Sequence, residues 1–349
     1  MNKSIRLAVL AATSALALAA AGSAFAAYTP TLAISPGNLA AGGAGANTIK
    51  ITSSAADDAT AKISIYAPLG YTVNLGQAVG AKIGKVNAQI IAIALGGALL
   101  PLTGDIVVDD PAKYTSAPAS VACAGATAHS AVWLLNLSVA GQTLAVPVYV
   151  DKTTGAEATF ASMKLVTCLA SPYATIAQGG NSVGAKAVSI DFTFNGVLTN
   201  PAAPGDSTWR ALFTPWAASS GTATNPAGTI ESRSIVRLPG SLTFAASRGK
   251  VSGKVSAGGK GLGGLRVQIW AGRTAKKLAK LGTVKTKSNG SFSYKTKKGT
   301  FYQAKLTLGT RGNTTAGCAG GSFPAFAPVP CATATIGGWT TASKKVKGK

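Results

Sequence analysis

Short segments in which apolar and polar residues alternate, separated by turn-forming residues, recur along this chain and constrain its fold. Within residues 62–66, Ile63 and Ile65 alternate with polar neighbours, which is typical of a strand with one buried face. Similar segments occupy residues 47–53, 61–66, 86–94, 130–139, 143–150, 187–194 and 230–238. A parallel α/β sheet would need helical patterns of ten or more residues between its strands. The spacing therefore predicts an all-β protein built from β-sandwiches, with residues 90–100 ambiguous.

The charged residues divide the chain into two parts. Residues 232–349 contain 22 Lys and Arg and no Asp or Glu, whereas residues 27–231 carry nine basic and ten acidic side chains. A uniformly positive body attracts polyanions and repels cationic partners. We therefore expect two domains, each a β-sandwich: a nearly neutral front part, residues 27–240, and a basic back part, residues 241–349.

The first residues have the features of a secretory signal peptide. Lys3 and Arg6 precede a short apolar run, and residues 24–26 (Ala-Phe-Ala) form a small-x-small cleavage site. A membrane anchor is the alternative, but the run is shorter than the roughly 20 residues that span a bilayer. Residues 1–26 are thus predicted to be a signal peptide. The mature protein is expected to be secreted, without a transmembrane segment, and either released or held at the cell surface.

The four cysteines are predicted to form two disulfides. Export to an oxidising compartment favours disulfides, and four cysteines allow three pairings. We favour Cys123–Cys168 and Cys318–Cys331, because each bond then stays within one predicted domain. A zinc site is the disfavoured alternative, since there is no Cys-x-x-Cys and the only histidine is His129.

Residues 197–229 are rich in Pro, Ala, Gly, Ser and Thr, and they also contain Trp209, Phe213 and Trp216. We interpret this segment as a long loop that is packed by its aromatic side chains. A lid over a groove, with a ligand site near Trp209 and Trp216, is the alternative.

The back part contains a series of motifs in a recognisable order. These are Gly253-Lys254-Val255, a Gly-rich turn that ends in Leu262-Gly263-Gly264, an alternating strand over residues 265–269, and Thr286 followed by Gly290 and Phe292. This series resembles the carboxypeptidase-regulatory-like modules, which have a transthyretin-like or prealbumin-like, Ig-like β-sandwich fold, and it covers about residues 249–310. The resemblance implies a non-catalytic accessory or surface module. Lys287 stands where an acidic residue often follows the Thr, which argues against a calcium role at this turn.

Asn289-Gly290 is predicted to lie in a hairpin turn. A three-residue loop, residues 288–290, pairs Lys287 with Ser291 and Lys285 with Ser293, which keeps ammonium groups off the core. The inner face then holds Val284, Thr286, Phe292 and Tyr294. The outer face of the hairpin is predicted to carry Lys285, Lys287, Lys295 and Lys297.

The neighbouring strands are expected to follow the same alternation. Arg266 and Trp270 point outward, and the last predicted strand buries Tyr302, Ala304, Leu306 and Leu308 while it exposes Lys305. The predicted polyanion-binding residues are Arg266, Lys285, Lys287, Lys295, Lys297, Lys305, Lys344, Lys345 and Lys347.

Motifs for catalysis and for metal binding are weak. Ser182 lies in a G-x-S-x-G pattern, but a strand follows it instead of a helix and His129 precedes it, so a turn is predicted. Residues 259–264 fit G-x-G-x-x-G, but they join two strands and open no helix. Asp57-Asp58 and Asp109-Asp110 are calcium candidates for which solvated turn carboxylates are the favoured interpretation. We predict no enzyme, no cofactor and no metal.

Function is predicted from charge and compartment. We expect a non-enzymatic surface or structural protein whose back part attaches to anionic cell-envelope polymers or polysaccharide, with a protein as a further partner class. A charge that serves only solubility is the alternative for the basic residues. A carbohydrate-binding or adhesion protein with its site in the front part is the alternative function. Sequence-specific nucleic-acid binding is not expected, since no helix-turn-helix, zinc-finger or RNP-type motif is found.

Overall fold

The computed structural model describes residues 28–125, 128–139, 141–178, 180, 184–217, 221–309 and 338–349. They form an all-β protein, which confirms the predicted fold class. Within these residues the one α-helix, α1, spans Pro118–Ala124, and no helix is both long and apolar enough to cross a membrane. The predicted signal peptide lies outside the described residues. Short 3-10 turns occupy Ile93–Leu95, Pro111–Tyr114, Glu157–Thr159, Ile176–Gln178 and Pro226–Gly228.

The described residues of the front part form one twelve-stranded sheet. Its strands are β1 (Thr31–Pro36), β2 (Ala44–Thr52), β3 (Thr60–Pro68), β4 (Thr72–Val73), β5 (Lys82–Ala92), β6 (Ala98–Asp109), β7 (Ala131–Val139), β8 (Gln142–Lys152), β9 (Ala161–Cys168), β10 (Ala185–Thr199), β11 (Gly205–Pro215) and β12 (Ile230–Leu238). The order is β1-β2-β10-β5-β6-β7-β8-β9-β3-β11-β12, with β4 paired to β10. Each segment that alternation predicts as a strand lies largely within one of these strands. The ambiguous residues 90–100 form the tip of the β5–β6 hairpin.

The sheet curls until its first and last strands meet. The backbone N–H of Leu32 donates to Ser232 Oγ at 3.0 Å, and that of Ile34 donates to Ser234 Oγ at 2.9 Å. These serine hydroxyls satisfy N–H groups of an edge strand that would otherwise be open to pairing with another chain. The curled sheet surrounds one apolar core, in which Trp133 is fully buried.

The prediction that residues 197–229 form a long loop is wrong, because the segment contains strand β11. Residues 209–215 are all buried. Trp209 and Phe213 face the core, whereas the other face of the strand is covered by a second apolar cluster that includes Phe160. A strand that is buried on both faces has no polar alternation, so the pattern of half-buried strands does not reveal it.

A disulfide attaches helix α1 to the outside of the sheet. It joins Cys123 to Cys168 at the end of β9, with the two Cα atoms 5.9 Å apart. The first of the two predicted bonds is therefore confirmed. The cysteines of the second, Cys318 and Cys331, lie outside the described residues.

The back part is a β-sandwich of two sheets. Its strands are β13 (Ser241–Ser247), β14 (Lys250–Ala257), β15 (Lys260–Gly261), β16 (Arg266–Gly272), β17 (Ala279–Lys285), β18 (Ser291–Lys295), β19 (Phe301–Leu308), β20 (Trp339–Ala342) and β21 (Val346–Lys347). In the four-stranded sheet, β14 pairs with β13, β15 and β18; the five-stranded sheet has the order β17-β16-β19-β20, with β21 also paired to β19. Both sheets contribute to one core, formed among others by Val251, Val255, Phe292, Val267, Ile269, Tyr302, Ala304 and Leu306.

The predicted hairpin is a turn that crosses from one sheet to the other. Lys287 pairs with Ser291, as predicted: the backbone N–H of Lys287 donates to the carbonyl oxygen of Ser291 at 2.8 Å. Beyond this pair the strands separate, since β17 joins the five-stranded sheet and β18 the four-stranded sheet. Lys285 lies opposite Arg266, so the predicted pairing of Lys285 with Ser293 is wrong.

The predicted inner face of this segment is nevertheless right. Thr286 and Phe292 are buried, and Val284 and Tyr294 pack against the same core. Apolar alternation specifies which face of a strand is buried, but it does not specify the neighbouring strand.

The two parts touch through the loop that precedes β2. Ala41 is buried in the core of the back part. A Cβ atom at Gly258 would collide with Ala40, and the backbone there has a φ of 55°. Only glycine fits such a position without strain. The division into two domains at residue 240 stays a prediction.

Candidate polyanion interface

In the front part, several cations form ion pairs with carboxylates. Arg210 pairs with Glu231 at 2.7 Å, and Arg237 pairs with Asp206 at 2.7 Å. Lys82 likewise lies 2.7 Å from a carboxylate oxygen of Asp105. The back part cannot form such pairs with acidic side chains of its own, because residues 232–349 contain none. The candidate interface therefore lies on the back part.

The outer face of the five-stranded sheet combines cations, amides and aromatic rings. The register places Lys285 opposite Arg266, places Thr283 and Lys305 on either side of Gln268, and places Lys280 and Gln303 on either side of Trp270. We call this surface the tryptophan face; its residues are Arg266, Gln268, Trp270, Lys280, Thr283, Lys285, Phe301, Gln303, Lys305 and Lys347.

Trp270 is held in place by two neighbours. Its indole N–H donates to Gln268 Oε1 at 3.3 Å, and the ammonium nitrogen of Lys305 lies 4.0 Å from the ring centroid. Lys305 is half-buried rather than exposed as predicted, because its side chain lies along this ring. Lys347 lies near the ring of Phe301 at 5.8 Å. A cation over an aromatic face at an exposed site contributes about 0.5–1 kcal/mol.

The outer face of the four-stranded sheet carries lysines among hydroxyl groups. We call it the lysine–serine face; its residues are Ser241, Thr243, Ser247, Lys250, Ser252, Lys254, Ser256, Ser291, Ser293 and Lys295. Its outward side chains include no aromatic ring among the described strand residues. The two faces therefore have the same sign of charge but different chemistry.

Each face contains a pair of like charges directly across two strands. Arg266 lies opposite Lys285, and Lys250 lies opposite Lys295. Directly opposite side chains have Cβ atoms about 5 Å apart, and like charges at such positions destabilise a sheet. No acidic side chain of the back part can relieve this repulsion. An anion that binds between the two cations would relieve it.

The structure distributes the predicted polyanion-binding residues over the whole back part. Arg266, Lys285, Lys305 and Lys347 lie on the tryptophan face, whereas Lys295 lies on the lysine–serine face. Lys287 lies in the turn between β17 and β18, Lys297 lies between β18 and β19, and Lys344 and Lys345 lie between β20 and β21. The prediction that Lys285, Lys287, Lys295 and Lys297 share one outer face is wrong, because β17 and β18 belong to different sheets. That these residues bind polyanions stays a prediction.

Several residues of the two faces escaped the sequence reasoning. Lys250 and Lys254 alternate with Val251 and Val255, so the period of two already placed them outward. Phe301 precedes the predicted inward Tyr302 and is outward for the same reason. The alternation that predicts the outward positions of Arg266 and Lys305 therefore also predicts those of Lys250, Lys254 and Phe301.

The alternative ligand site near Trp209 and Trp216 is wrong for Trp209, and for Trp216 it stays a prediction. Trp209 is only 1% exposed and packs against Tyr71, with ring centroids 4.9 Å apart. Trp216 is half-buried and forms an isolated bridge with Thr224. A ligand cannot reach the indole of Trp209 without unfolding the core.

Three of the candidate catalytic and metal-binding residues, His129, Asp57 and Asp109, have structural partners. His129 is buried, with Nδ1 2.9 Å from Asp151 Oδ2 and its ring against Tyr149, while Ser182 lies outside the described residues. Asp57 accepts hydrogen bonds from the backbone N–H groups of Thr29 and Ser54.

Asp109 accepts hydrogen bonds from Lys113 and Tyr114, each at 2.7 Å. The interpretation of Asp57 and Asp109 as solvated carboxylates is therefore wrong, since both are buried and hydrogen-bonded. In the described part of the chain, no group of three or more His, Cys, Asp or Glu is placed to hold a metal ion.

Comparison with known proteins does not place the chain in a family. No family model matches it, and no curated protein matches it. The described β-sandwich is confirmed by its own sheets, but the carboxypeptidase-regulatory-like family is not.

Among solved structures, the chain is similar to one titled "Structure of the Full-Length Major Pilin SpaD from Corynebacterium diphtheriae". The two are 13% identical, the TM-score is 0.29, and the match covers 80% of this chain and 56% of that chain. This chain thus spans little more than half the length of the pilin chain. A similarity at this level assigns neither fold nor function.

Proposed function

We propose that this chain is a secreted, non-enzymatic surface protein whose back part attaches it to anionic polymers of the cell envelope. The observation that carries the proposal is the pair of unneutralised cation clusters: Arg266 opposite Lys285 on one face, and Lys250 opposite Lys295 on the other. Keeping like charges opposite each other costs stability, and a bound polyanion would offset that cost.

Two features of the chain support secretion. The first 26 residues have the pattern of a signal peptide, and Cys123 and Cys168 form a disulfide of the kind that persists in oxidising compartments. N-terminal sequencing of the exported protein should find Ala27 as its first residue.

The binding test uses the full-length mature protein and beads that carry either polygalacturonate or polyphosphate. A variant with Arg266, Lys285, Lys250 and Lys295 changed to Gln should bind both polymers at least about tenfold more weakly, because each cation near an anionic surface contributes roughly 1 kcal/mol. The matched control changes four exposed front-part lysines to Gln, namely Lys82, Lys85, Lys113 and Lys152. Both variants lose four positive charges.

Salt should weaken binding of the wild-type protein steeply, since contacts between exposed charges are screened. Equal losses in the two variants would mean that net charge matters and the two faces do not. The charge would serve only solubility if the wild-type protein binds neither polymer at low salt and the variant with the four Gln substitutions on the two faces precipitates.

A further inference from the structure

The two basic faces differ in one respect that charge does not capture. The lysine–serine face offers ammonium and hydroxyl groups. The tryptophan face adds the half-exposed rings of Trp270 and Phe301 and the amides of Gln268 and Gln303. A polymer of phosphate groups has no apolar surface that could stack on an aromatic ring, whereas a sugar ring has one.

We infer that the tryptophan face binds an acidic polysaccharide, with a sugar ring on Trp270 and its carboxylates on the surrounding cations. This inference rests on the proposed function and narrows its ligand. The π-face of an aromatic ring is electron-rich and attracts the weakly positive C–H groups that line one side of a pyranose. Arg266 supplies the planar donor that pairs with a carboxylate through two hydrogen bonds.

The spacing of the groups suits a chain of sugars. Arg266, Gln268 and Trp270 follow one another on one face of β16, so the row from the guanidinium to the indole spans about 13 Å at 3.3 Å per residue. Lys285 and Lys280 flank this row on one side, and Lys305 flanks it on the other. An extended oligosaccharide along β16 would have a cation on each side of it.

The side chains are positioned before a ligand arrives. The hydrogen bond from the indole N–H to Gln268 fixes the orientation of Trp270, and Lys305 lies against the ring. Groups that are already ordered lose less freedom when a ligand binds. Lys305 is the exception, because its ammonium lies 4.0 Å from the ring centroid and covers that face of the indole. A sugar that stacks on this face would displace the ammonium, and a carboxylate of the same ligand would then pair with it.

The test compares Trp270→Leu and Trp270→Phe in the full-length protein, with melting temperatures to check the fold. The probes are polygalacturonate, fully methyl-esterified polygalacturonate, polyphosphate and single-stranded DNA at one salt concentration. Trp270→Leu should weaken polygalacturonate binding about tenfold, a loss typical of one stacking contact. Its binding to polyphosphate should change less than about twofold, and Trp270→Phe should retain most of the polygalacturonate affinity.

The outcomes separate this inference from the proposed function. Wild-type binding to neither polygalacturonate nor polyphosphate would overturn both. If the wild type binds both polymers and Trp270→Leu binds them equally well, only the polysaccharide inference would be overturned. Tighter binding of the methyl-esterified polymer would indicate a neutral glycan, and tighter binding of single-stranded DNA would indicate base stacking; either result overturns the inference.

If Trp270→Leu melts well below the wild type, a charge comparison replaces it. Arg266→Gln with Lys285→Gln alters the tryptophan face, and Lys250→Gln with Lys295→Gln alters the lysine–serine face. The first pair should weaken polygalacturonate binding at least about fivefold more than the second. Equal effects would overturn the assignment of the polysaccharide to the tryptophan face.

Discussion

Lys62 shows how the front part carries a charge inside its fold. It lies on β3, and its ammonium group donates to the carbonyl oxygen of Cys123 at 2.7 Å. Burial, and to a smaller extent the charge of Lys164, lowers the pKa of Lys62 to about 8. An unfolded chain holds the lysine proton up to about pH 10.4. At neutral pH the folded protein therefore holds a desolvated ammonium group, which lowers its free energy of unfolding.

The pH dependence of stability should reveal this charge. Between about pH 8 and pH 10.4 the unfolded state binds more protons at Lys62 than the folded state, so the free energy of unfolding rises with pH. From about pH 7 to pH 10 the wild-type protein should gain about 1–3 kcal/mol relative to Lys62→Met in urea unfolding. Lys85→Met, which alters an exposed lysine, should leave the wild-type pH dependence unchanged. A Lys62→Met protein with the wild-type pH dependence would contradict the argument.

At the level of strands, alternation identified segments in which polar residues regularly separate apolar ones, even where the fold covers the polar positions, as in β3. It located β2, β3, β7, β8 and β12, and it placed Thr286 and Phe292 inward. It failed at β11, whose two faces are both buried, and at the pairing of β17 with β18, because period two carries no information about the partner strand. The tryptophan face was only partly predictable, because period two does not specify which strands are neighbours. That Lys285 lies beside Arg266 follows from the order of the strands in the sheet, which depends on contacts far apart in sequence.

The disulfide between α1 and β9 should contribute strongly to stability. It closes a loop with a sequence separation of 45, for which the chain-entropy model gives about 4 kcal/mol. Cys123→Ala together with Cys168→Ala should lower the free energy of unfolding by about this amount in urea titrations. Either single variant should cost nearly as much as the double variant, since all three lose one bond. If the losses of unfolding free energy in the two single variants add up to the loss in the double variant, the two cysteines do not stabilise the protein through one shared bond.

Across the whole molecule, charge is arranged in two different ways. The front part places several of its cations beside carboxylates, as Arg210 does with Glu231. The back part places cations beside cations, as at Arg266 and Lys285. Stability alone would favour opposite charges at such positions, because a pair of opposite charges across two strands is stabilising. Residues kept at a cost in stability are characteristic of binding sites.

This contrast leads to a prediction in which stability and binding change in opposite directions. Lys285→Glu replaces the repulsion between residue 285 and Arg266 by attraction. The backbone amide hydrogens of β16 and β17 should therefore exchange more slowly, and the free energy of local opening should rise by about 0.5–1.5 kcal/mol. Binding to polygalacturonate should weaken at least about tenfold, since a cation is replaced by an anion.

Lys280→Glu is the matched control, because it changes the charge equally but lies opposite Trp270 instead of a cation. It should weaken binding without slowing exchange. The gain in Lys285→Glu should also shrink as salt is added, because exposed pairs are screened. A Lys285→Glu protein that is no more protected than the wild type would mean that the two cations do not repel each other enough to matter. In that case the like-charge pair could not be the feature that a polyanion relieves.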